Sequence, residues 1–352
     1  MEMLPLQAAG KPGPLIAIGG AEDKVRERTI LRYFLEVAGG SDASVVVLAT
    51  ASEVPETAGE RYADLFYALN ADSVEVLRIA TREDALVAGA EAHDLLEYAT
   101  GLFITGGGQL RLSSLLGGTQ VAATIQARHA AGMLVAGTSA GAAFLSRHMI
   151  ALGDTGATPR RRLVHLAPGL GLAPDLVIDQ HFRRRDRLGR LLTALSYNPG
   201  LLGVGIDEDT AAVIDSEGVL RVLGAGAVTV VDARDMRYTD SHAAHRGQPL
   251  AMLGVKLDVL SSGCRYDIER RVAHPPPPGA VRLDPLEALK SLPASELAEF
   301  AEPSTAAAGA AAAAEREDAD ETAAEAERAG AGIGTGAGSG GTLADRTADR
   351  GD

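Results

Sequence analysis

The sequence predicts an α/β fold: a mostly parallel sheet with helices on both faces and a small added β-meander. Three observations carry that expectation. Short, largely apolar runs recur along the first half of the chain, and segments with apolar residues at helical spacing separate them. Several of the runs end in glycine or in charged residues, and open α/β sheets gather their ligand contacts at such strand ends.

Leu15–Ile18 lacks polar alternation, so it reads as a buried strand, and it runs into Gly19-Gly20-Ala21-Glu22-Asp23-Lys24. Val25–Ala38 carries Ile30, Phe34 and Val37 at helical spacing and stops at Gly39-Gly40. Ser44–Ala49 is the next strand, Thr57–Leu69 an amphipathic helix, Ser73–Ile79 a third strand and Ala85–Tyr98 a helix. Gly101–Thr105 is a fourth strand, ending in Gly106-Gly107-Gly108-Gln109. Leu110–Leu116 and Val121–Ala131 are helical, and Met133–Ala136 is a fifth strand that leads through a sharp turn into a helix from Ala142 to Leu145. The pattern then changes. Gly153–Leu172 is rich in Gly, Pro and Arg and reads as a long loop or short strands. Leu176–Ile178 is a strand, Arg183–Leu195 a basic helix and Leu202–Ile206 a strand. Ala211–Ile214, Leu220–Leu223 and Ala227–Val231 form the meander, to which Met252–Leu260 adds one more strand.

Composition divides the 352 residues. Residues 15–273 form the α/β body, after a flexible N-terminus at 1–14. His274 and Pro275–Pro278 open a stiff linker, with a short helix at Pro285–Phe300, so 274–302 bridges to the end. From Pro303 to Asp352 the chain is Ala, Gly, Glu, Asp and Thr, too poor in large apolar side chains to order itself. That tail holds ten acidic and four basic residues, −6 of the net −14, and leaves −8 on the rest. So negative a body argues against nucleic acid as a partner. The one cysteine, Cys264, excludes an intramolecular disulfide and a thiolate-rich zinc site. The N-terminus has no signal-peptide pattern and no apolar run is long enough for a membrane, so the expected setting is the cytoplasm.

The chemistry centres on Gly137-Thr138-Ser139-Ala140-Gly141, a G-x-S-x-G pattern between a strand and a helix. In that context the turn lifts the Ser139 hydroxyl out of the packed layer as a nucleophile. A serine needs a base, and the base an orienting acceptor. Among eight histidines, His181 stands at a strand end of the same kind. Asp179, Asp207, Glu208 and Asp209 are all candidates for the acceptor, and spacing does not choose among them. The order serine, histidine, acid differs from that of α/β-hydrolases. The amide of Ala140 and one from Gly106–Gly108, Gly107 at its centre, are placed to form an oxyanion hole. Arg183, Arg184, Arg185, Arg187 and Arg190 suit carboxylate recognition, with Arg187 and Arg190 on one helix face. Asp179 and the acidic trio lack a defined ligand pattern, so no metal and no organic cofactor is expected.

Together these stretches resemble the cyanophycinase branch of the serine peptidase family that also contains peptidase E, the aspartyl dipeptidase. The resemblance rests on Ile18 to Lys24, Phe103 to Gln109, Gly137 to Ala142, Val177 to Phe182, Arg185, Arg187 to Arg190 and Gly205 to Thr210, and it spans about Leu15–Leu260. It implies a flavodoxin-like or class I glutamine amidotransferase-like fold, a homodimer, Ser139 as nucleophile, His181 as base and Glu208 as acid. Gln109, Asp179, Gln180, Arg185, Arg187 and Arg190 would line the substrate site. The implied substrate is cyanophycin, a poly-aspartate with arginine on each β-carboxyl, cut to β-Asp-Arg dipeptides. Glu22, Asp23 or Asp179 would then receive its guanidinium groups. A peptidase E-like dipeptidase and a non-catalytic binding module are the alternatives. Against the second, the chain has neither a G-x-G-x-x-G after its first strand nor a P-loop.

Overall fold

The protein is described by a computed structural model covering residues 11–276. The remainder of the expected linker and its helix, and the tail at 303–352, lie outside the described residues. At the end of the N-terminal stretch, the Gly13 amide donates to the His129 carbonyl and the Val135 amide to that of Pro14.

The elements run β1 (Leu15–Ile18), α1 (Thr29–Val37), β2 (Ser44–Leu48), α2 (Pro55–Ala68), β3 (Ser73–Leu77), α3 (Arg82–Val87), α4 (Gly89–Glu97) and β4 (Gly101–Ile104). Next come α5 (Gln109–Leu116), α6 (Gln120–Ala130), β5 (Leu134–Thr138), α7 (Ala140–Phe144), β6 (His148–Gly153), β7 (Val164–Pro168), β8 (Leu176–Asp179), α8 (Leu188–Tyr197) and β9 (Leu202–Ile206). The last strands are β10 (Thr210–Ile214), β11 (Val219–Gly224), β12 (Ala227–Asp232), β13 (Tyr238–Thr239), β14 (Met252–Leu253), β15 (Lys256–Ser261), β16 (Arg265–Asp267) and β17 (Val272–His274).

Among the described residues, nine strands form the principal sheet in the order β17-β16-β11-β10-β1-β5-β4-β2-β3. The five from β1 to β3 are parallel, and β10, β11, β16 and β17 extend the sheet antiparallel. A four-stranded sheet, β15-β12-β9-β8, lies beside it, with β8 and β9 parallel. Pleating sends successive side chains of β1 and β2 to opposite faces. Leu15, Ala17, Val46 and Leu48 enter one core, with α4 to α7 and the inner face of the second sheet. Ile16, Ile18, Val45 and Val47 enter another, under α1 and α2, where Phe34, Tyr62, Phe66 and Phe103 stack. The outer face of the second sheet buries Val177 and Val231 against Leu191 and Leu195 of α8.

The fold class stands as expected, but several details differ. The meander is divided: β10 and β11 join the principal sheet, while β12 crosses to pair with β9. The first helix begins at Thr29 rather than Val25, because the Asp23 carboxylate accepts the amides of Val25, Arg26, Glu27 and Arg28 and holds them in a loop. Val37, expected on its buried face, is exposed, and Leu31 and Leu35 are buried there instead. The helix expected over Ala85–Tyr98 is two helices broken at Ala88, the first opened by a Thr81–Asp84 capping box. Gly153–Leu172 holds β7, which pairs with β6 in a hairpin. The basic helix starts at Leu188, not Arg183, since His181 and Asp186 both take positive φ, at 47°, and residues 182–186 wind into turns.

Candidate active site

Strand register gathers the site. Ile18 lies opposite Thr138 and Ile104 opposite Gly137, so the segments leaving β1, β5 and β4 emerge together at the carboxyl rim of the parallel sheet. In the second sheet Asp179 pairs with Gly205, which sends Gln180-His181 and Asp207-Glu208 out side by side. The amide of His181 donates to the Gly19 carbonyl at 2.8 Å, joining the two rims, and that of Phe182 donates to Ile206 at 3.1 Å within the second sheet.

Ser139 sits between β5 and α7 with φ 50° and ψ −113°. A non-glycine residue there costs about 1–3 kcal/mol and persists only when its surroundings hold it. The pattern's glycines permit the turn by removing bulk. A Cβ on Gly137 would lie 2.4 Å from the Gly141 carbonyl carbon, and one on Gly141 would lie 2.3 Å from the Ile104 oxygen.

Ser139 Oγ lies 2.9 Å from His181 Nε2, and His181 Nδ1 lies 2.7 Å from Glu208 Oε1. An ionised carboxylate only accepts, so Nδ1 carries the hydrogen and Nε2 of the neutral ring accepts from the serine hydroxyl. Arg184 Nε lies 3.4 Å from the second oxygen of Glu208. Burial and then the Arg185 charge push the His181 pKa below its ordinary 6.5; the Glu208 hydrogen bond opposes them and Arg187 adds to the lowering. The ring therefore stays neutral, as a base must, at neutral pH. Protonation on the acid side disables it, so the acid limb of kcat/KM is expected below pH 6.5. Arg185→Ala, by removing a charge that disfavours protonation, is expected to move that limb to higher pH, which a steady-state pH profile reads.

Of the four acids left open by spacing, Glu208 is the one that meets the histidine. Asp179 receives Arg190, Asp207 accepts the amides of Arg183 and Ala227, and Asp209 accepts that of Asp23. Gly106 lies against the serine: a Cβ there would be 3.7 Å from Ser139 Oγ. The Gly108 amide is taken by the Ala51 carbonyl, whereas among the described residues those of Gly107 and Ala140 donate to no protein acceptor.

Gln109 Nε2 and Gln180 Oε1 are buried and, among the described residues, without a hydrogen-bond partner. A buried donor and a buried acceptor left open, the donor at the end of the Gly106–Gly108 run and the acceptor at the residue preceding His181, are suited to a bound ligand. The arginines do not act as one group. Arg183 and Arg184 are exposed and Arg185 is half-buried, while Arg187 and Arg190 are buried. Arg190 forks onto both oxygens of Asp179, and Arg187 Nη1 donates to the Gln180 carbonyl at 2.7 Å, with Asp179 Oδ1 at 3.6 Å. Asp179, Arg187 and Arg190 thus hold Gln180 in place and do not present open charges. The three acids expected to receive guanidinium groups are likewise engaged: Asp23 by its amides, Asp179 by Arg190, and Glu22 by Tyr62, Thr138 and Lys24. Sequence reasoning missed the role of Glu22 and Tyr62 because nothing local shows that Glu22 folds back beneath the elbow. Among the described residues, no three His, Cys, Asp or Glu converge as a metal site.

A strained serine paired with a neutral imidazole, on the rim of a largely parallel sheet, marks a serine-type hydrolase of the α/β class. Residues 15–222 match the model of Peptidase family S51. The chain belongs to that family and is a serine peptidase. It is 44% identical over 262 residues to a cyanophycinase of Trichormus variabilis, covering 74% of this chain and 87% of that one. It is 45% identical over 265 residues to a cyanophycinase of Synechococcus elongatus, covering 74% and 81%. The crystal structure of a peptidase from an acI-B1 Actinobacterium, 21% identical, matches 71% of this chain and 97% of its own with a TM-score of 0.51, and so shares the fold.

Proposed function

We propose that this peptidase is a cyanophycinase, which cuts the α-peptide backbone of multi-L-arginyl-poly-L-aspartate and releases β-Asp-Arg dipeptides. The observation that carries the reading is the 44–45% identity to cyanophycinases over about three quarters of the chain. In the mechanism that the geometry supports, His181 Nε2 takes the proton of Ser139 as Oγ attacks the backbone carbonyl. Glu208 holds the ring in its tautomer and stabilises the imidazolium. The amides of Ala140 and Gly107, which donate to no protein acceptor among the described residues, are the donors this reading assigns to the oxyanion. His181 then protonates the leaving amine. Water, deprotonated by the same ring, releases the acyl group from Ser139. No step draws on a metal or organic cofactor. Gln109 Nε2 supplies a donor and Gln180 Oε1 an acceptor, the pair that an amide or a zwitterionic Asp-Arg unit requires.

The same reading includes a homodimer in the cytoplasm without a nucleic-acid partner. The dimer rests on the family resemblance, and the last point on the acidic body. The unpaired Cys264 suits a reducing compartment. Among the described residues, no helix is long and apolar enough to cross a membrane. Turnover of polymer against that of Asp-X dipeptides tests the substrate: a preference for the polymer supports the proposal. Efficient cleavage of Asp-X dipeptides with the polymer untouched favours a peptidase E-like dipeptidase instead.

A further inference from the structure

The segment that leaves β1 contributes no member to the Ser139–His181–Glu208 set, yet it is bonded to the backbone at or next to each. The Ser139 amide donates to the Ile18 carbonyl at 3.0 Å and the His181 amide to Gly19 at 2.8 Å. The amide of Asp209, the neighbour of Glu208, donates to the Gly20 carbonyl at 2.9 Å, and the Asp23 amide returns a bond to Asp209 Oδ1 at 2.9 Å. Gly20 also faces the imidazole so closely that a Cβ there would lie 2.5 Å from His181 Nε2. A displacement of this segment would therefore move nucleophile, base and acid against one another.

A side-chain link, made by Glu22, adds to these backbone bonds between the segment and the strand that bears the nucleophile. Its side chain is 1% exposed, and both of its oxygens are engaged. Oε2 accepts from Thr138 Oγ1 at 2.6 Å; Oε1 accepts from Tyr62 Oη at 2.5 Å and has Lys24 Nζ at 3.2 Å. Thr138 immediately precedes Ser139, so the bond bears on the peptide that enters the strained elbow. Burial works against a charge on Glu22, but Lys24 and the hydroxyls of Thr138 and Tyr62 outweigh it and hold its pKa below the ordinary carboxylate value. An ionised carboxylate accepts from all three donors at once, whereas an amide turns its NH2 toward one of them.

We propose that Glu22 is a positioning residue for the peptidase reaction: through Thr138 it locks the β1 segment to the nucleophile elbow and keeps Ser139 aligned with His181. The inference rests on Ser139 being the nucleophile, so the test reads that serine without using the polymer. In the full-length protein, a fluorophosphonate labels Ser139 when Oγ bonds to phosphorus, fluoride leaves and the serine proton passes to His181. A misalignment of about 1 Å costs on the order of 10²-fold in rate, so labelling of Glu22→Gln is expected to slow by about that factor. Thr138→Val, which leaves Glu22 with Tyr62 and Lys24, is expected to slow labelling similarly, and Thr138→Ser, which keeps the hydroxyl, to restore it. The Glu22→Gln/Thr138→Val double variant should be no slower than either single one, because both cut the same link. Should Glu22→Gln fail to fold, the Thr138 pair decides alone. Wild-type labelling rates in Thr138→Val, or equal losses in Thr138→Val and Thr138→Ser, would overturn the proposal. An unlabelled wild-type protein would instead remove the nucleophile assignment, and this inference with it.

Discussion

Ser139→Ala is expected to abolish peptide hydrolysis, lowering kcat by roughly 10⁴–10⁶-fold while the folding transition stays in place. The hydroxyl sits 2.9 Å from His181 Nε2, and no other side chain reaches the imidazole on that edge among the bonds of the described residues. Without it no acyl-enzyme forms. The amides of Gly107 and Ala140 and the two open glutamine groups remain, so substrate binding should persist. Fold is preserved for a physical reason too: alanine removes one oxygen and relieves nothing that holds the chain. The close approach of Gly137 to Gly141 and of Gly141 to Ile104, which permits the elbow, is unchanged by the substitution. Turnover and binding measured on the same preparation check both halves. A variant that keeps substantial activity would exclude the acyl-enzyme mechanism.

The second large effect concerns stability. Arg190 and Asp179 are 3% and 0% exposed, and Arg190 grips the carboxylate with Nε at 2.7 Å and with Nη2 on the other oxygen. Asp179 also accepts the Gln180 amide at 3.0 Å. Removing Arg190 takes the forked partner from a buried carboxylate and leaves it only the more distant Arg187 at 3.6 Å among the ion pairs of the described residues; breaking a buried pair costs about 3–5 kcal/mol. Arg190→Met is therefore expected to lower the melting temperature by roughly 10 °C in a body of this size. Removing both charges, in Asp179→Leu/Arg190→Met, should recover part of that loss, since the desolvation of both ions is relieved together while Arg187 loses its carboxylate neighbour. Thermal unfolding of the wild type, of Arg190→Met and Asp179→Leu, and of the double variant reads the comparison. Arg190→Met with a wild-type transition would show that the pair contributes nothing net, and a double variant as unstable as the sum of its parts would contradict the coupling.

The parallel half of the fold was legible because buried parallel strands write themselves as short apolar runs. Leu15–Ile18 is found at the bounds expected, and β2 to β5 within one or two residues at their ends. The separate second sheet was not legible. Leu176–Asp179 and Leu202–Ile206 look like any other buried strand, and only tertiary pairing decides which sheet receives them. The start of α1 was obscured for another reason. Val25 to Arg28 have acceptable helix propensity, but a single Asp23 carboxylate captures their four amides. In the candidate site, Ser139 and His181 were readable from their places at strand ends. Glu208 was separable from Asp207 and Asp209 only through resemblance, because three adjacent acids differ by direction and not by type. The arginines misled in part. A run of guanidinium groups suggests recognition of an anion, yet Arg190 is consumed by Asp179 and Arg187 by the Gln180 carbonyl. Nothing in the local sequence shows that an internal carboxylate waits for them.

The most direct test of the central claim is mass spectrometry of the soluble products after the purified protein, without added metal, is incubated with insoluble cyanophycin. The account predicts that the polymer dissolves to β-Asp-Arg, with no such product from Ser139→Ala. Intact granules after prolonged incubation with protein whose Ser139 still reacts with a fluorophosphonate would contradict it, leaving a serine peptidase of this family with another substrate.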